Sequence, residues 1–169
     1  MDPKDINMTN FCNKKVDNVV SNTMKKFIIE DMKLKTSLTP SSRYAKIFNS
    51  QYSKNLNNPH IFCIKTYGSP YLLYLTKVNN VNYSLLIDKK TKSGHDYPKM
   101  FIVQYRFHDD LYHGSLFETE LLRDDDNGWQ LLLADAYYHK GKMLKDTVIT
   151  ERIDMMHDML NDEYIDDSF

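Results

Sequence analysis

The hydrophobic pattern of this chain changes period twice. From Val16 to Met32 the apolar residues Val16, Val19, Val20, Met24, Phe27, Ile28 and Met32 recur near helical spacing, with Lys25 and Lys26 on the opposite side. That predicts an amphipathic helix whose apolar stripe packs on a core. Thr36 to Arg43 is rich in turn residues and breaks it, and Asn55 to Pro59 forms a second turn. The pattern then becomes that of strands. His60–Lys65, Tyr71–Thr76, Val81–Ile87 and Met100–Phe107 are short runs of β-favouring residues, the last with Phe101, Val103, Tyr105 and Phe107 on one face. Thr66–Pro70 and Asn79-Asn80 supply turns between them, and Lys89–Pro98 reads as a polar loop. From about Thr147 the helical period returns, with Ile153, Met156, Met159 and Leu160 on one side. Met1–Asn10 has no period and is expected to be a mobile lead-in.

The stretch LFETELLRDDDNGWQLLL, Leu116 to Leu133, organises the rest. Two apolar runs flank Asn127-Gly128, a pair that tolerates positive φ, so a hairpin is expected there, its second strand running on to Tyr138. On the first strand Glu118 and Glu120 are two apart, hence on one face, with Phe117, Thr119 and Leu121 on the other. Two carboxylates so placed repel unless a metal ion, a base or a ligand hydroxyl separates them, or unless they simply lie in solvent. A helix, six or seven mostly antiparallel strands and a closing helix make an α+β fold. We expect residues 1–39 to form the lead-in and first helix, 40–160 the main domain, and 161–169 an acidic tail.

Composition narrows the class. At 169 residues with a net charge of −1, plentiful aromatic residues and few glycines or prolines, the chain is expected to be one soluble domain with a full core. Charge is uneven: Lys14, Lys15, Lys25, Lys26, Lys33 and Lys35 crowd the first third, while Asp154, Asp158, Asp162, Glu163, Asp166 and Asp167 crowd the end. A polyanion can approach the basic end, or the two ends can attract each other. Cys12 and Cys63 are too few for a disulfide framework, and neither a membrane span nor a signal peptide is legible. A reduced intracellular setting, cytoplasmic or within a virion, with no membrane partner, is the expectation.

Familiar catalytic patterns are absent: no glycine-rich phosphate loop, no nucleophile elbow and no His-Glu-x-x-His. His108 and His113 bracket Asp109-Asp110 without a second pair at ligand spacing, which reads as a solvated loop. Lys65 ends a strand just before Gly68. A lysine so placed is either an ordinary strand-end residue or a desolvated amine able to act as a nucleophile or phosphate partner.

Taken in order, these pieces resemble the nucleotidyltransferase domain of mRNA capping guanylyltransferases, relatives of DNA and RNA ligases. Lys65-Thr66-Tyr67-Gly68-Ser69-Pro70 is similar to the family's Lys-x-Asp-Gly-x-Arg, and Leu85–Lys90 to the strand after it. Phe117-Glu118-Thr119-Glu120-Leu121 resembles Leu-Asp-Gly-Glu-Leu, and Trp129–Ala136 resembles the next, aromatic motif centred on Asp135. Pro40–Arg43 and Glu151-Arg152 match an entry segment and a helix start. The likeness spans roughly Pro40 to Leu160 and implies a curved, mostly antiparallel sheet with flanking helices, a partial version of the family fold.

The departures shape the functional expectation. Tyr67 stands for the motif's Asp, Pro70 for its Arg, Thr119 for Gly, and Ala134 for a base-stacking ring, and the family's later Glu-Gly and Lys-x-Lys motifs are not found before Phe169. The resemblance then implies a non-catalytic module that binds a guanine nucleotide or a capped RNA 5′ end. Lys65, a vestigial nucleophile, would meet phosphate. Glu120 would meet ribose, or a metal together with Glu118. Tyr67, Tyr71 or Trp129 would stack on the base, and Asp135 would complete the nucleotide site. No cofactor is required, with magnesium or manganese accompanying a bound nucleotide. A protein partner or second copy covering the missing half of the fold is expected. Two alternatives stand beside this: a structural or assembly protein, as in the virion of a large DNA virus, that keeps the fold without nucleotide; and a guanylyltransferase subunit completed by another chain.

Overall fold

The computed structural model describes residues 2–41, 49–57, 66–126 and 128–165. The strand expected over His60–Lys65, with Lys65 and Cys63, lies outside them. The described chain is α+β: eight strands in one sheet with helices on both faces.

The N-terminal segment departs first from expectation. Ile6–Phe11 (β1) and Lys14–Val19 (β2) pair antiparallel as a hairpin. Cys12 and Asn13 both take positive φ, 52° and 63°, the geometry of a two-residue turn that matches strand twist. The expected helix therefore starts later, at Asn22–Thr36 (α1), where the Ser21 hydroxyl accepts from the Met24 amide and caps the first turn. It ends where Ser37 turns left-handed at φ 54°.

The strands that follow are Ser69–Val78 (β3), Val81–Asp88 (β4), Met100–Val103 (β5), His113–Asp124 (β6), Gly128–His139 (β7) and Lys142–Met143 (β8). Their order across the sheet is β1-β2-β5-β4-β3-β6-β7-β8, each neighbouring pair antiparallel. The Asn79-Asn80 turn joins β3 to β4 as the sequence predicts, with φ of 48° and 63°. The β6–β7 reversal falls one step earlier than Asn127-Gly128: Gly128 already pairs with Asp124, and the Asp124 carboxylate accepts from the Asp126 amide. Ile149–Asp158 (α2) continues into a wider turn over Met159–Glu163. No described helix is long and apolar enough to cross a membrane.

β3 sits centrally and is buried on both sides, which explains its nearly continuous apolar run. Leu72 and Tyr74 face α1 and pack with Ile28, Met32, Leu85, Ile87 and Met100; Tyr71, Leu73 and Leu75 face the other way, toward Leu86, Phe101, Phe117 and the α2-side residues Met156 and Met159. A polar clamp sets the register of α1. The Asp31 carboxylate accepts from the Tyr74 hydroxyl at 2.8 Å, the Thr76 hydroxyl at 2.8 Å and the Lys35 ammonium at 2.8 Å. Burial, with the Asp31 charge adding to it, pushes the Tyr74 hydroxyl pKa up, so it stays a donor.

Candidate functional site

The motif strands meet on the α1 side of the sheet. Glu118 and Glu120 leave β6 on that side, while Phe117, Thr119 and Leu121 are buried on the other, as strand alternation requires. Two β-bulges on β7 bracket Glu118. The register steps from Leu116–Tyr138 to Phe117–Ala136, leaving Tyr137 extra, and from Glu118–Asp135 to Thr119–Leu133, leaving Ala134 extra. Such bulges re-aim side chains, and here the Tyr137 hydroxyl donates to one Glu118 oxygen. The other oxygen accepts from the Lys89 ammonium at 2.5 Å.

Lys89 is the residue that sequence reasoning missed. It follows the last residue of β4, only 4 % exposed, in the segment read as a polar loop. A buried ammonium costs several kcal/mol unless it is paired, and Glu118 at 2.5 Å offsets that cost. The legible signal was the same one noted for Lys65: a lysine ending an apolar strand, here Leu85-Leu86-Ile87-Asp88-Lys89.

Glu120 is held differently. The Thr66 hydroxyl donates to it across 54 positions of sequence, bringing the segment before β3 onto β6. Gly68 allows that approach: a Cβ there would lie 2.5 Å from the Glu120 side chain and 2.6 Å from the Leu121 carbonyl oxygen. Tyr67, between these two, is fully exposed.

Tyr71, Trp129 and Asp135 do not join this group. Tyr71 lies opposite Thr119 on β6 and so points to the α2 face, where it is buried against Phe11. Burial, then Asp88 and Cys12, push its hydroxyl up to about 12. It cannot share a base with Glu120, because the sheet separates them. Trp129 pairs with Arg123 and also faces the α2 side, 40 % exposed, with the guanidinium 5.9 Å from its ring centre. It walls a cleft of about 1090 Å³ with Phe11, Tyr105, Tyr112, Leu121 and Tyr164. Trp129 is thus neither a fully buried core residue nor a neighbour of Glu120. Asp135 is engaged by Arg152 of α2, whose Nε and Nη2 donate at 2.7 and 3.2 Å. It anchors the helix instead of opening toward a ligand. Lys65 lies outside the described residues.

A metal shared by Glu118 and Glu120 does not fit these donors. Glu118 gives one oxygen to an ammonium and the other to a phenol, so the positive charge a metal would bring is already supplied by Lys89. Among the described residues no three His, Cys, Asp or Glu side chains converge as a metal site. Asp109, beside His113, is instead paired with Lys77 at 2.7 Å, and Lys77 with Asn82 holds its carboxyl below the usual range. Compared with protein-family models and with curated proteins, the chain finds no match.

Proposed function

We propose that the chain is a non-catalytic guanylyltransferase-like module that binds a guanine nucleotide or the capped 5′ end of an RNA. The observation that carries this reading is the Thr66–Glu120 contact, in which two segments picked out by motif resemblance, 54 positions apart, meet on one face of the sheet. In this reading Glu120 accepts from a ribose hydroxyl, Lys65 meets phosphate and Tyr67, exposed beside Thr66, lies against the base. A single base–aromatic stack of that kind is worth about 1–3 kcal/mol. Tyr71, Trp129 and Asp135 leave the expected site, and no resident cofactor is required. Tyr67 in place of Asp and Pro70 in place of Arg remove groups that the family's covalent chemistry uses.

Calorimetric titration of the chain with GTP, a cap analogue and uncapped RNA tests the reading. Saturable binding of GTP or the cap analogue, with no lysyl-GMP adduct on denaturing gels after incubation with labelled GTP and a divalent metal, is the expected result. A labelled band lost in Lys65→Ala would restore the enzyme reading. A second reading, a structural or assembly protein, is favoured by Leu132, which pairs with Glu120 on the same face and is 44 % exposed. Absence of binding to all three ligands would favour it.

A further inference from the structure

Away from the aromatic cleft and from the Glu118–Glu120 group, the start of α1 and the loop between β4 and β5 line a pocket of about 250 Å³. Lys25, Lys92, Lys99 and His95 line it, with Asn22 and Tyr97 among them. Among the described residues Lys35, Lys77, Lys89 and Lys140 each reach a carboxylate within 2.5 to 2.8 Å, which offsets their charge. Among the described residues Lys25, Lys92 and Lys99 have no such partner. Asp96, the carboxylate that reaches this wall, accepts from the Asn22 amide at 3.3 Å.

Like charges gathered in a concavity raise its potential and are relieved by an anion. Burial, and after it the Lys99 charge, hold the Lys25 amine below its ordinary range. The first turn of α1 carries no acidic side chain of its own, so the positive end of the helix dipole lies on the same side, with Asp96 the carboxylate beside it. Lys26, next in the chain, points elsewhere and lies 3.8 Å from Glu30.

We propose that this pocket binds a phosphate group, held by Lys25, Lys92 and Lys99. The chemistry is shared by free phosphates and by the backbone of a nucleic acid. The site is built from residues other than Glu120, Thr66 and Tyr67, so it stands apart from the nucleotide-end reading.

NMR titration of the ¹⁵N-labelled full chain tests it in two arms, one with inorganic phosphate and one with a short uncapped oligouridylate. Saturable shifts at the amides of Asn22, Lys25 and Lys99 are expected in at least one arm, with affinity reduced tenfold or more in the Lys25→Gln/Lys99→Gln double variant. An unchanged melting temperature shows that the variant is folded, and single variants replace it if it is not. Saturation by inorganic phosphate alone assigns free phosphates. Preference for the oligonucleotide, weakening with salt by a slope of about −0.7 per phosphate contact, assigns a backbone. No saturable shift at these amides in either arm, or equal affinity in the variants, overturns the proposal. Neither result depends on binding of GTP or cap analogue, and Glu120→Gln should leave the phosphate response intact.

Discussion

The pairing of Lys89 with Glu118 makes an asymmetric prediction. Lys89 has a side chain 3 % exposed and Glu118 one 29 % exposed, so removing either partner weakens the pairing of a differently solvated charge. Glu118→Gln leaves the buried ammonium without its carboxylate and should cost roughly 3 kcal/mol; Lys89→Met leaves a carboxylate within reach of water and should cost less. Urea unfolding measures both, and equal losses would show that Lys89 does not depend on Glu118. His139 makes a second prediction. Its Nε2 is buried and finds no hydrogen-bond partner among the described residues, and burial lowers its pKa against the opposing pull of Glu163. The unfolded chain takes up that proton near a pH of about 6.5 while the native state resists it. Stability is then full above that value, falls as pH drops below it, and levels off below the lowered native pKa. His139→Gln should flatten urea midpoints compared between pH of about 5.5 and about 7; an unchanged slope would contradict this. At this scale the sequence told which side of β6 each residue takes, because alternation is local. It did not tell that Tyr71 and Trp129 take the other side, because that follows from their pairing with Thr119 and Arg123 across strands.

Elements were legible where one period ran long and ambiguous where two periods fitted the same residues. Val16, Val19 and Val20 suit a helix or a strand. The capping hydroxyl of Ser21 and the positive φ of Cys12 and Asn13 decide for a hairpin followed by a helix, and Cys-Asn is not a turn signal one reads from sequence. Phe107, expected to end a strand, lies beyond β5 and forms an isolated bridge to Tyr164, a contact between distant parts of the chain. Glu151-Arg152 lies in the first turn of α2, as its sequence predicts, and Arg152 takes as its partner Asp135, the residue expected to meet a nucleotide. The Asp135–Arg152 pair, with side chains 21 % and 15 % exposed, fastens α2 to β7. Arg152→Met should cost about 1.5–3 kcal/mol and speed amide exchange across Ile149–Asp158 more than across α1. Uniform exchange in hydrogen–deuterium mass spectrometry would mean that the pair does not secure the helix. Gly68→Ala belongs to the same scale: its Cβ would collide with the Leu121 carbonyl oxygen at 2.6 Å, so it should lower the melting temperature and loosen the Thr66–Glu120 contact.

For the whole molecule the α+β class and the antiparallel sheet were legible, because strand runs and turns alternate over most of the chain. Which face a ligand would use was not, because a sheet buried on both sides presents two candidate surfaces. The α1 face gathers Thr66, Lys89, Glu118, Glu120 and Tyr137; the α2 face holds the aromatic cleft with Trp129. The proposed function commits to the first. The most direct measurement is therefore calorimetric titration of GTP and cap analogue into the wild-type chain, Glu120→Gln and Trp129→Phe in parallel. Losing a hydrogen bond to a charged group costs about 1.5–3 kcal/mol, so Glu120→Gln should weaken binding roughly tenfold or more while Trp129→Phe leaves it unchanged. Binding that survives Glu120→Gln but falls in Trp129→Phe would place the nucleotide in the opposite cleft and contradict the account.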